Sequence, residues 1–298
     1  MIVRRVFVSS QRDEWLDDRR KALKRAIVDK IRAAGYAPQF FDIAATGDLV
    51  SGKMWSFANA DEVMRRCVGV AIIGVTRWAI VQQQRSLSLP SEYCHYEGSL
   101  ARTLALPILA VAEADLERRG IFVPYGLPIL PIPAGADAAW VKAPDFVAFF
   151  DKWKQLLRGR RDVFLGYCSS SAATAVSIRN YLQERRVTVL DWIEDFAPAG
   201  SILGQIEEAA ARCTAGIFLF TKDDKIDSDH EPAAPRDNVV FEAGFFAHAK
   251  GKERVLIVRE TGSKMPADLG GDIYASLDDR SNIEPVKPTV SKFIDQRL

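Results

Sequence analysis

The stretch "DNVVFEAGFFAHAKGK", residues 237–252, places one carboxylate, that of Glu242, among apolar side chains. On a helix, the residues three and four positions away from Glu242 are apolar or Asn, so no Lys or Arg stands where it could pair with this group. Burial of an unpaired carboxylate is costly, or it raises the pKa until the group is protonated. A carboxylate that only favours the positive end of the helix dipole is the simpler interpretation, but Glu242 lies about one turn beyond the helix start.

A cleft that needs a carboxylate explains Glu242 better, and cleavage of a glycosidic bond is one reaction with that need. Its transition state is an oxocarbenium-like sugar, whose positive charge a carboxylate stabilises. The serines at 169–171 offer hydroxyls and backbone N–H groups at a helix start, which suits a phosphate as well as simple capping. Trp192 could stack on a base or a nicotinamide ring, although a half-buried Trp at a strand end is equally ordinary.

The residues that other common kinds of site require do not occur in the needed patterns. No Gly-rich P-loop and no GxGxxG motif occurs, so neither Walker-type nor Rossmann dinucleotide binding is supported. The three histidines have no metal-ligand spacing and allow no Ser–His–Asp arrangement, so we expect no metal site. The four cysteines form no CxxC pair, which fits a reduced cytoplasm better than a disulfide scaffold.

The composition is that of a soluble globular protein. Of the 298 residues, 48% are hydrophobic and 27% charged, and 40 Lys and Arg nearly balance 39 Asp and Glu. A near-neutral chain does not indicate nucleic-acid or membrane-surface binding. The longest apolar runs, such as "VGVAIIGV", are too short to span a bilayer, and the first residues lack the pattern of a signal peptide. We therefore expect a cytoplasmic protein with no nucleic-acid or membrane partner.

Strands and helices alternate along the whole chain. In the first half we predict strands at 4–10, 36–42, 68–76 and 107–113 and helices around 14–34, 54–66, 91–104 and 144–157. In the second half we predict strands at 162–170, 187–193, 214–221, 254–260 and 272–278 and helices around 172–185, 201–212, 237–252 and the C-terminus. The segment "FVPYGLPILPIPAGA" is predicted as an edge segment and loop, because Pro is excluded from central strands. A polar loop is predicted at 222–236.

The two halves repeat each other. "YEGSLARTLALPILAVAE" parallels "FEAGFFAHAKGKERVLIVRE", which places Glu97 opposite Glu242 and Glu113 opposite Glu260. The alternation predicts an α/β fold of two tandem flavodoxin-like units, each a parallel sheet covered by helices on both faces. Ligands of such sheets bind beyond the carboxyl ends of the strands. In the second unit, the loops after three strands and the helix with Glu242 converge there.

The predicted boundary between the units lies in the charged run "RGRRD". We place the first unit at residues 1–158 and the second at 161–298.

At "TKDDK", "APRDNVVFEAGFF" and "RVLIV" the chain resembles a known family. It is similar to the bacterial TIR-like domain, described as a predicted nucleotide-binding domain, of effectors in cyclic-nucleotide antiphage systems. The resemblance covers roughly residues 161–280. The family pattern is Thr-x-Asp-Asp, a variable loop, and then Arg-x-Asn-Val-x-Phe-Glu-x-Gly-Phe/Tyr-Phe. The matching residues are Thr221, Asp223, Asp224, Arg236, Asn238, Val239, Phe241, Glu242, Gly244, Phe245 and Phe246.

The resemblance implies a flavodoxin-like TIR fold and hydrolysis of NAD+ at the nicotinamide–ribose bond. NAD+ is then the substrate, no cofactor is expected, and Glu242 takes the position of the catalytic glutamate. We expect the substrate to be bound by seven further residues, namely Ser169, Ser170, Trp192, Asp223, Asp224, Arg236 and Asn238. The first strand of this unit ends "GYCSSS", where the family usually has a His-Gly-x-(Asp/Asn) turn, so the phosphate-side contacts depart from the family pattern.

The first unit resembles TIR-like and nucleoside deoxyribosyltransferase-like domains more generally. It lacks the Arg-x-Asn-Val run, having "LPSEYCHYEG" instead, but it keeps the glutamate. We expect this unit to sense a ligand or to support oligomerisation, with a second ligand site at Ser9, Ser10, Trp78 and Glu97. A second active site is the alternative.

The function that follows is that of an NAD+ glycohydrolase. It would deplete NAD+ in antiphage defence, activated by a cyclic nucleotide or another nucleotide and by assembly into a homo-oligomer. Two alternatives stay open. The chain could be a nucleoside deoxyribosyltransferase-like enzyme with Glu242 or Glu97 as the nucleophile, or a nucleotide receptor without catalysis.

Overall fold

The computed structural model describes residues 4–41, 55–82, 85–123, 125–192, 201–225, 232–265 and 274–298. The chain divides into two compact units that meet between Gly159 and Arg160. Along the described parts, every helix is too short or too polar to cross a lipid bilayer.

The first unit is a parallel sheet with helices around it. Its strands are β1 (Arg5–Ser10), β2 (Ala37–Gln39), β3 (Cys67–Gly74), β4 (Trp78–Gln82), β5 (Arg85–Leu89), β6 (Ile108–Glu113) and β7 (Ile129–Ile132). Its helices are α1 (Asp18–Ala33), α2 (Phe57–Met64), α3 (Glu92–Thr103) and α4 (Pro144–Arg158). Five strands pair in parallel in the order β2-β1-β3-β6-β7. The Pro-rich segment forms the edge strand β7, as predicted.

The second unit repeats this architecture. Its strands are β8 (Arg161–Gly166), β9 (Val189–Asp191), β10 (Cys213–Phe220), β11 (Asp224–Lys225), β12 (Pro232–Ala234), β13 (Val255–Glu260) and β14 (Tyr274–Leu277). Its helices are α5 (Ala172–Glu184), α6 (Ile202–Arg212), α7 (Asp237–Lys250) and α8 (Lys287–Arg297). The parallel strands follow the order β9-β8-β10-β13-β14. In both units the second strand is outermost and the first pairs with the third, as in flavodoxin-like folds.

Burial on both faces of each sheet explains the apolar strands. All residues of β3 and of β10 are buried, which is typical of central strands in parallel sheets. Two apolar clusters form in each unit, one on each face of its sheet. The predicted fold class, two tandem parallel-sheet α/β units, is confirmed.

The last residue of the fourth parallel strand makes the same contact in both units. Glu113 accepts a hydrogen bond from the backbone N–H of Thr76, just beyond β3, at 2.8 Å. Glu260 accepts one from the backbone N–H of Lys222, just beyond β10, at 2.7 Å. Each carboxylate is also paired with an arginine at 2.7 Å. These contacts hold adjacent strand ends together at the edge of the sheet where ligands are expected.

Two antiparallel hairpins were not predicted. β4 pairs with β5 in a segment that the sequence left unassigned, and β11 pairs with β12 where we expected a loop at 222–236. In each unit the hairpin lies between the third parallel strand and the helix that carries the repeated glutamate, Glu97 or Glu242. These strands are short or exposed, so they lack the apolar run that marked the buried ones.

Four predicted elements, at 36–42, 54–66, 187–193 and 272–278, reach partly outside the described residues. Their described parts form β2, α2, β9 and β14.

Candidate active site

Glu242 lies in the second turn of α7, facing the end of β8. Glu242 is buried, with 9% of its surface exposed. A Cβ atom at Gly166 would approach Glu242 Oε2 to 2.9 Å and the Phe218 ring to 2.5 Å. The absence of a side chain at Gly166 therefore makes room for the carboxyl group beside the end of the strand.

Among the described residues, no hydrogen bond or ion pair stabilises the buried carboxyl of Glu242. Its Oε2 atom has no hydrogen-bond partner among the described residues. Burial raises the pKa of Glu242 to about 7, since the charged form is poorly solvated there. The nearest arginine in the sequence, Arg236, pairs instead with Asp224 at 2.7 Å. A carboxyl with these properties is typical of functional sites rather than of structural ion pairs.

Ser170 and Asp223 meet, but they are occupied with each other. The Ser170 hydroxyl donates to Asp223 Oδ1, and the Thr221 hydroxyl donates to Oδ2 at 2.6 Å. Arg280 Nη2 lies 3.6 Å from the same carboxylate, and the Asp223 side chain is 2% exposed. Thr221 is also hydrogen-bonded to Ser171 at 2.8 Å. The structure thus gives this network the role of joining the loop after β8 to the loop after β10.

Four further residues that were predicted to bind substrate, Asp224, Arg236, Asn238 and Ser169, are exposed or half-exposed. Asp224 is in the β11–β12 hairpin and Arg236 is the residue before α7, so their ion pair joins the hairpin to the helix start. Asn238 and Ser169 are exposed. Their predicted contacts with substrate stay predictions.

Trp192 is anchored at the end of β9. Its Nε1 donates to the Tyr167 carbonyl at 3.0 Å, and the two rings pack with centroids 5.9 Å apart. The Tyr167 hydroxyl in turn donates to Asp191 at 2.8 Å. The side chain is half-buried against both apolar clusters of this unit, which gives it a packing role.

The first unit holds an equivalent glutamate in a different setting. Glu97 also lies in the second turn of its helix, α3, and is 5% exposed. Trp55 Nε1 donates to Glu97 Oε1 at 2.9 Å. Burial raises the pKa of Glu97 to about 7, partly offset by the nearby Ser9 hydroxyl and by Trp55. Ser9 takes the place that Gly166 has beside Glu242, because "VFVS" aligns with "VFLG".

A cavity of about 220 Å³ adjoins Glu97. It lies beyond the ends of β1 and β3, and both Ser10 and Glu97 line it. Trp78 and Ser9 are not among the residues that line the cavity, and the second ligand site at Ser9, Ser10, Trp78 and Glu97 stays a prediction. Residue 78 begins the unpredicted hairpin, where its ring lies 4.9 Å from the Arg77 guanidinium.

Most of the residues that line this cavity were not predicted from the sequence, and four of them have side chains suited to bind a ligand. They are Gln11, Trp15, Trp55 and Arg77. Arg77 directly follows the strand predicted at 68–76, and Trp15 lies at the start of the helix predicted around 14–34. Their positions at the ends of predicted elements could have indicated a place in the ligand site. Trp55 is the most important residue that was not predicted. A buried carboxyl such as that of Glu97 requires a hydrogen-bond donor, and the indole N–H of Trp55 is one.

Metal ligands are not grouped in the parts of the chain that the structure covers. Among the described residues, no three His, Cys, Asp or Glu side chains are placed to hold an ion. The four cysteines are buried and unbridged.

Comparison with known proteins agrees with the fold and the motif. Residues 162–279 match the family model described as the TIR domain of CAP12/Pycsar effector proteins. A CD-NTase-associated protein 12 from Lachnospiraceae bacterium (strain RUG226) is 32% identical over 111 residues, covering 37% of this chain and 35% of that protein. Its counterpart from Flavobacterium daejeonense is 29% identical over 144 residues, 46% of each chain. The Pycsar effector protein PaPycTIR from Pseudomonas aeruginosa is 29% identical over 156 residues, 44% of this chain and 51% of that protein.

The C-terminal half is therefore a TIR-like effector domain, which confirms the resemblance drawn from the motif. The chain spans between about a third and a half of the length of these relatives.

Proposed function

We propose that the second unit hydrolyses NAD+ at the nicotinamide–ribose bond and that the chain is an effector of bacterial antiphage defence. The observation that carries this proposal is the carboxyl of Glu242. It is buried, it has no partner among the described residues, and it stands in the matched TIR domain. The relatives are named as CD-NTase-associated and as Pycsar effectors, which supports a role in the same kind of system.

In this mechanism Glu242 acts on the positive charge of the sugar. The bond between C1′ of the ribose and the nicotinamide nitrogen breaks, and the electron pair leaves with the nicotinamide, which becomes neutral. The positive charge moves to the ribose as an oxocarbenium ion, and the carboxylate stabilises it. Water then adds to C1′ and loses a proton, so the products are nicotinamide, ADP-ribose and H+.

Burial makes this carboxylate a stronger electrostatic catalyst. In water a carboxylate is screened by solvent, whereas a desolvated one acts through a lower effective dielectric constant. The cationic nicotinamide ring of bound NAD+ favours the ionised form of Glu242 and so lowers its pKa in the complex. The free-energy cost of holding an ionised carboxylate in an apolar environment is therefore offset only when the substrate is bound.

The ion-pair and hydroxyl network around Asp223 holds the loops that border this site. In the proposal, Ser169, Asn238, Arg236 and Asp224 at the surface contact the rest of the dinucleotide. Activation by a cyclic or other nucleotide and assembly of several copies belong to the same proposal, as does a cytoplasmic location.

The test is product analysis of NAD+ incubated with the full chain. The protein is used at high concentration with a crowding polymer, so that assembly is not limiting, and nicotinamide and ADP-ribose are separated by chromatography. We expect both products in equal amounts from the parent. Glu242→Gln should reduce their formation by about 100-fold or more, which is the usual scale for loss of such a group.

The matched control is Glu253→Gln, which removes an exposed carboxylate from the same unit. It should keep the parent activity. Equal rates in the parent and the Glu242→Gln variant would refute the role of Glu242. Base exchange between deoxynucleosides without loss of NAD+ would favour the deoxyribosyltransferase alternative.

A further inference from the structure

The cavity of the first unit is not used by the activity proposed for Glu242. It lies where the sheet's strand ends, the third-strand loop and the start of α3 meet, which is the usual ligand position in a doubly wound fold. Its volume of about 220 Å³ is below the range of about 300–1,000 Å³ that encloses drug-sized ligands. A group of one base and one sugar suits it better than a whole dinucleotide.

Aromatic rings form one part of the cavity. Trp55 packs against Tyr93 with ring centroids 4.5 Å apart, and both line it. Trp15, also in the lining, is 56% exposed although it is a large apolar ring. An accessible indole at the edge of a cavity is a surface on which a planar base can stack.

Buried donors form a second part. Gln11 is 4% exposed, and its Nε2 has no acceptor among the described residues. Arg77 Nε is likewise buried without an acceptor in the described parts, and the arginine's contact with Glu92 is long, at 3.5 Å. A buried donor without an acceptor is destabilising, and an anionic oxygen of a ligand would supply the missing acceptor.

The carboxyl of Glu97 is the third part. Trp55 fixes it by donating to one oxygen at 2.9 Å, and the group lines the cavity. A carboxylate at the ligand-binding edge of such folds accepts hydrogen bonds from ribose hydroxyls, and Glu97 reaches the cavity at that edge from the second turn of α3. One carboxyl, two unsatisfied donors and accessible rings thus stand around a space of nucleoside size.

We propose that this cavity binds a nucleoside monophosphate. The base stacks on Trp15, the ribose hydroxyls donate to Glu97, and the phosphate accepts from Arg77 and Gln11. This site does not include Glu242, so the nucleotide-binding proposal and the NAD+-hydrolysis proposal can be tested separately.

The test is calorimetric titration of the full chain carrying Glu242→Gln, which prevents turnover of added ligand. The probes are the 5′-monophosphates and the 3′,5′-cyclic monophosphates of the four ribonucleosides, with ribose 5-phosphate and inorganic phosphate beside them. We expect saturable binding, one ligand per chain, for at least one nucleotide. The linear and cyclic series show which form of the phosphate the site accepts.

Two added substitutions locate the ligand. Trp15→Ala should weaken binding by about 5- to 150-fold through lost stacking, and Arg77→Gln by about tenfold or more through a lost charged donor. The matched controls Tyr125→Ala and Arg85→Gln change an exposed ring and an exposed guanidinium of the same unit outside the cavity lining. Both should bind like the parent.

Three results would overturn the proposal. They are absence of binding by every nucleotide at millimolar concentration, unchanged affinity in both cavity variants, and equal affinity for ribose 5-phosphate and the nucleotides, which would exclude stacking of a base. Far-ultraviolet circular dichroism confirms the fold of each variant. If Trp15→Ala does not fold, Glu97→Gln replaces it, with the same expected direction.

Discussion

Replacing Glu242 by Gln should stabilise the second unit increasingly, relative to the parent, as the pH rises through neutral. In the folded protein, burial raises the pKa of this carboxyl to about 7, compared with 4.5 for an ordinary glutamate. The group's contribution to stability is therefore fully present below pH 4.5 and is lost as the pH rises through about 7. Each pKa unit corresponds to about 1.4 kcal/mol, so up to about 3 kcal/mol is lost by pH 8.

Gln cannot ionise, so the Glu242→Gln variant does not lose this stability as the pH rises. The free energy of unfolding of the variant minus that of the parent should therefore rise by about 2–3 kcal/mol between pH 4.5 and pH 8. Any constant effect of the amide, such as its own unsatisfied donor, shifts this difference without changing its slope with pH. All other titrating groups are shared and cancel.

The assay is native-state hydrogen exchange read by mass spectrometry in peptides from β10 and β13. These central strands report the second unit alone, whereas a global unfolding curve of a two-unit chain does not give one well-defined free energy. Glu253→Gln, the exposed control, should differ from the parent by about 0.5 kcal/mol or less at every pH. A flat difference for Glu242→Gln would show that the carboxyl is solvated or paired, and the reasoning about a poised catalytic group would fail.

Three further outcomes follow from the same geometry. The value of kcat/KM for NAD+ should rise with pH through about 7 and then level off, because the free enzyme needs Glu242 ionised; a constant value from pH 5 to 9 would contradict this. Gly166→Ala should destabilise the second unit by about 1–3 kcal/mol in thermal unfolding, since its Cβ would meet the Phe218 ring. Gly204→Ala on α6 should be neutral or stabilising, because its Cβ would make only an ordinary contact with Ser201, at 3.8 Å. Asp223→Asn should speed hydrogen exchange in the loop after β10, and unchanged exchange would show that the Asp223 network does not hold that loop.

Much of the fold could be predicted because burial leaves a direct pattern. The central strands are uninterrupted apolar runs, the helices between them are amphipathic, and the repeat fixes which strand corresponds to which. The glutamate at 242 was recognisable for the opposite reason, since it breaks an apolar pattern without a local partner. Both signals depend only on neighbours along the chain.

The unpredicted parts depend on neighbours in space. Nothing local distinguishes the β4–β5 hairpin from a loop, because both strands are short, β4 is exposed, and β5 is exposed or half-exposed. Ser170, from the predicted phosphate site, and Asp223, from the family motif, bond to each other across 53 residues, so their hydrogen bond could not be predicted from spacing. Trp55 and Glu97 are 42 residues apart and meet only when α3 packs on the sheet.

The central claim is that Glu242, and not its counterpart Glu97, cleaves NAD+. The most direct measurement is the initial rate of nicotinamide release from NAD+ by the parent, Glu242→Gln and Glu97→Gln, at one high protein concentration with a crowding polymer. The account predicts a loss of about 100-fold or more in Glu242→Gln and retention of activity in Glu97→Gln. Activity that survives in Glu242→Gln and disappears in Glu97→Gln would contradict it.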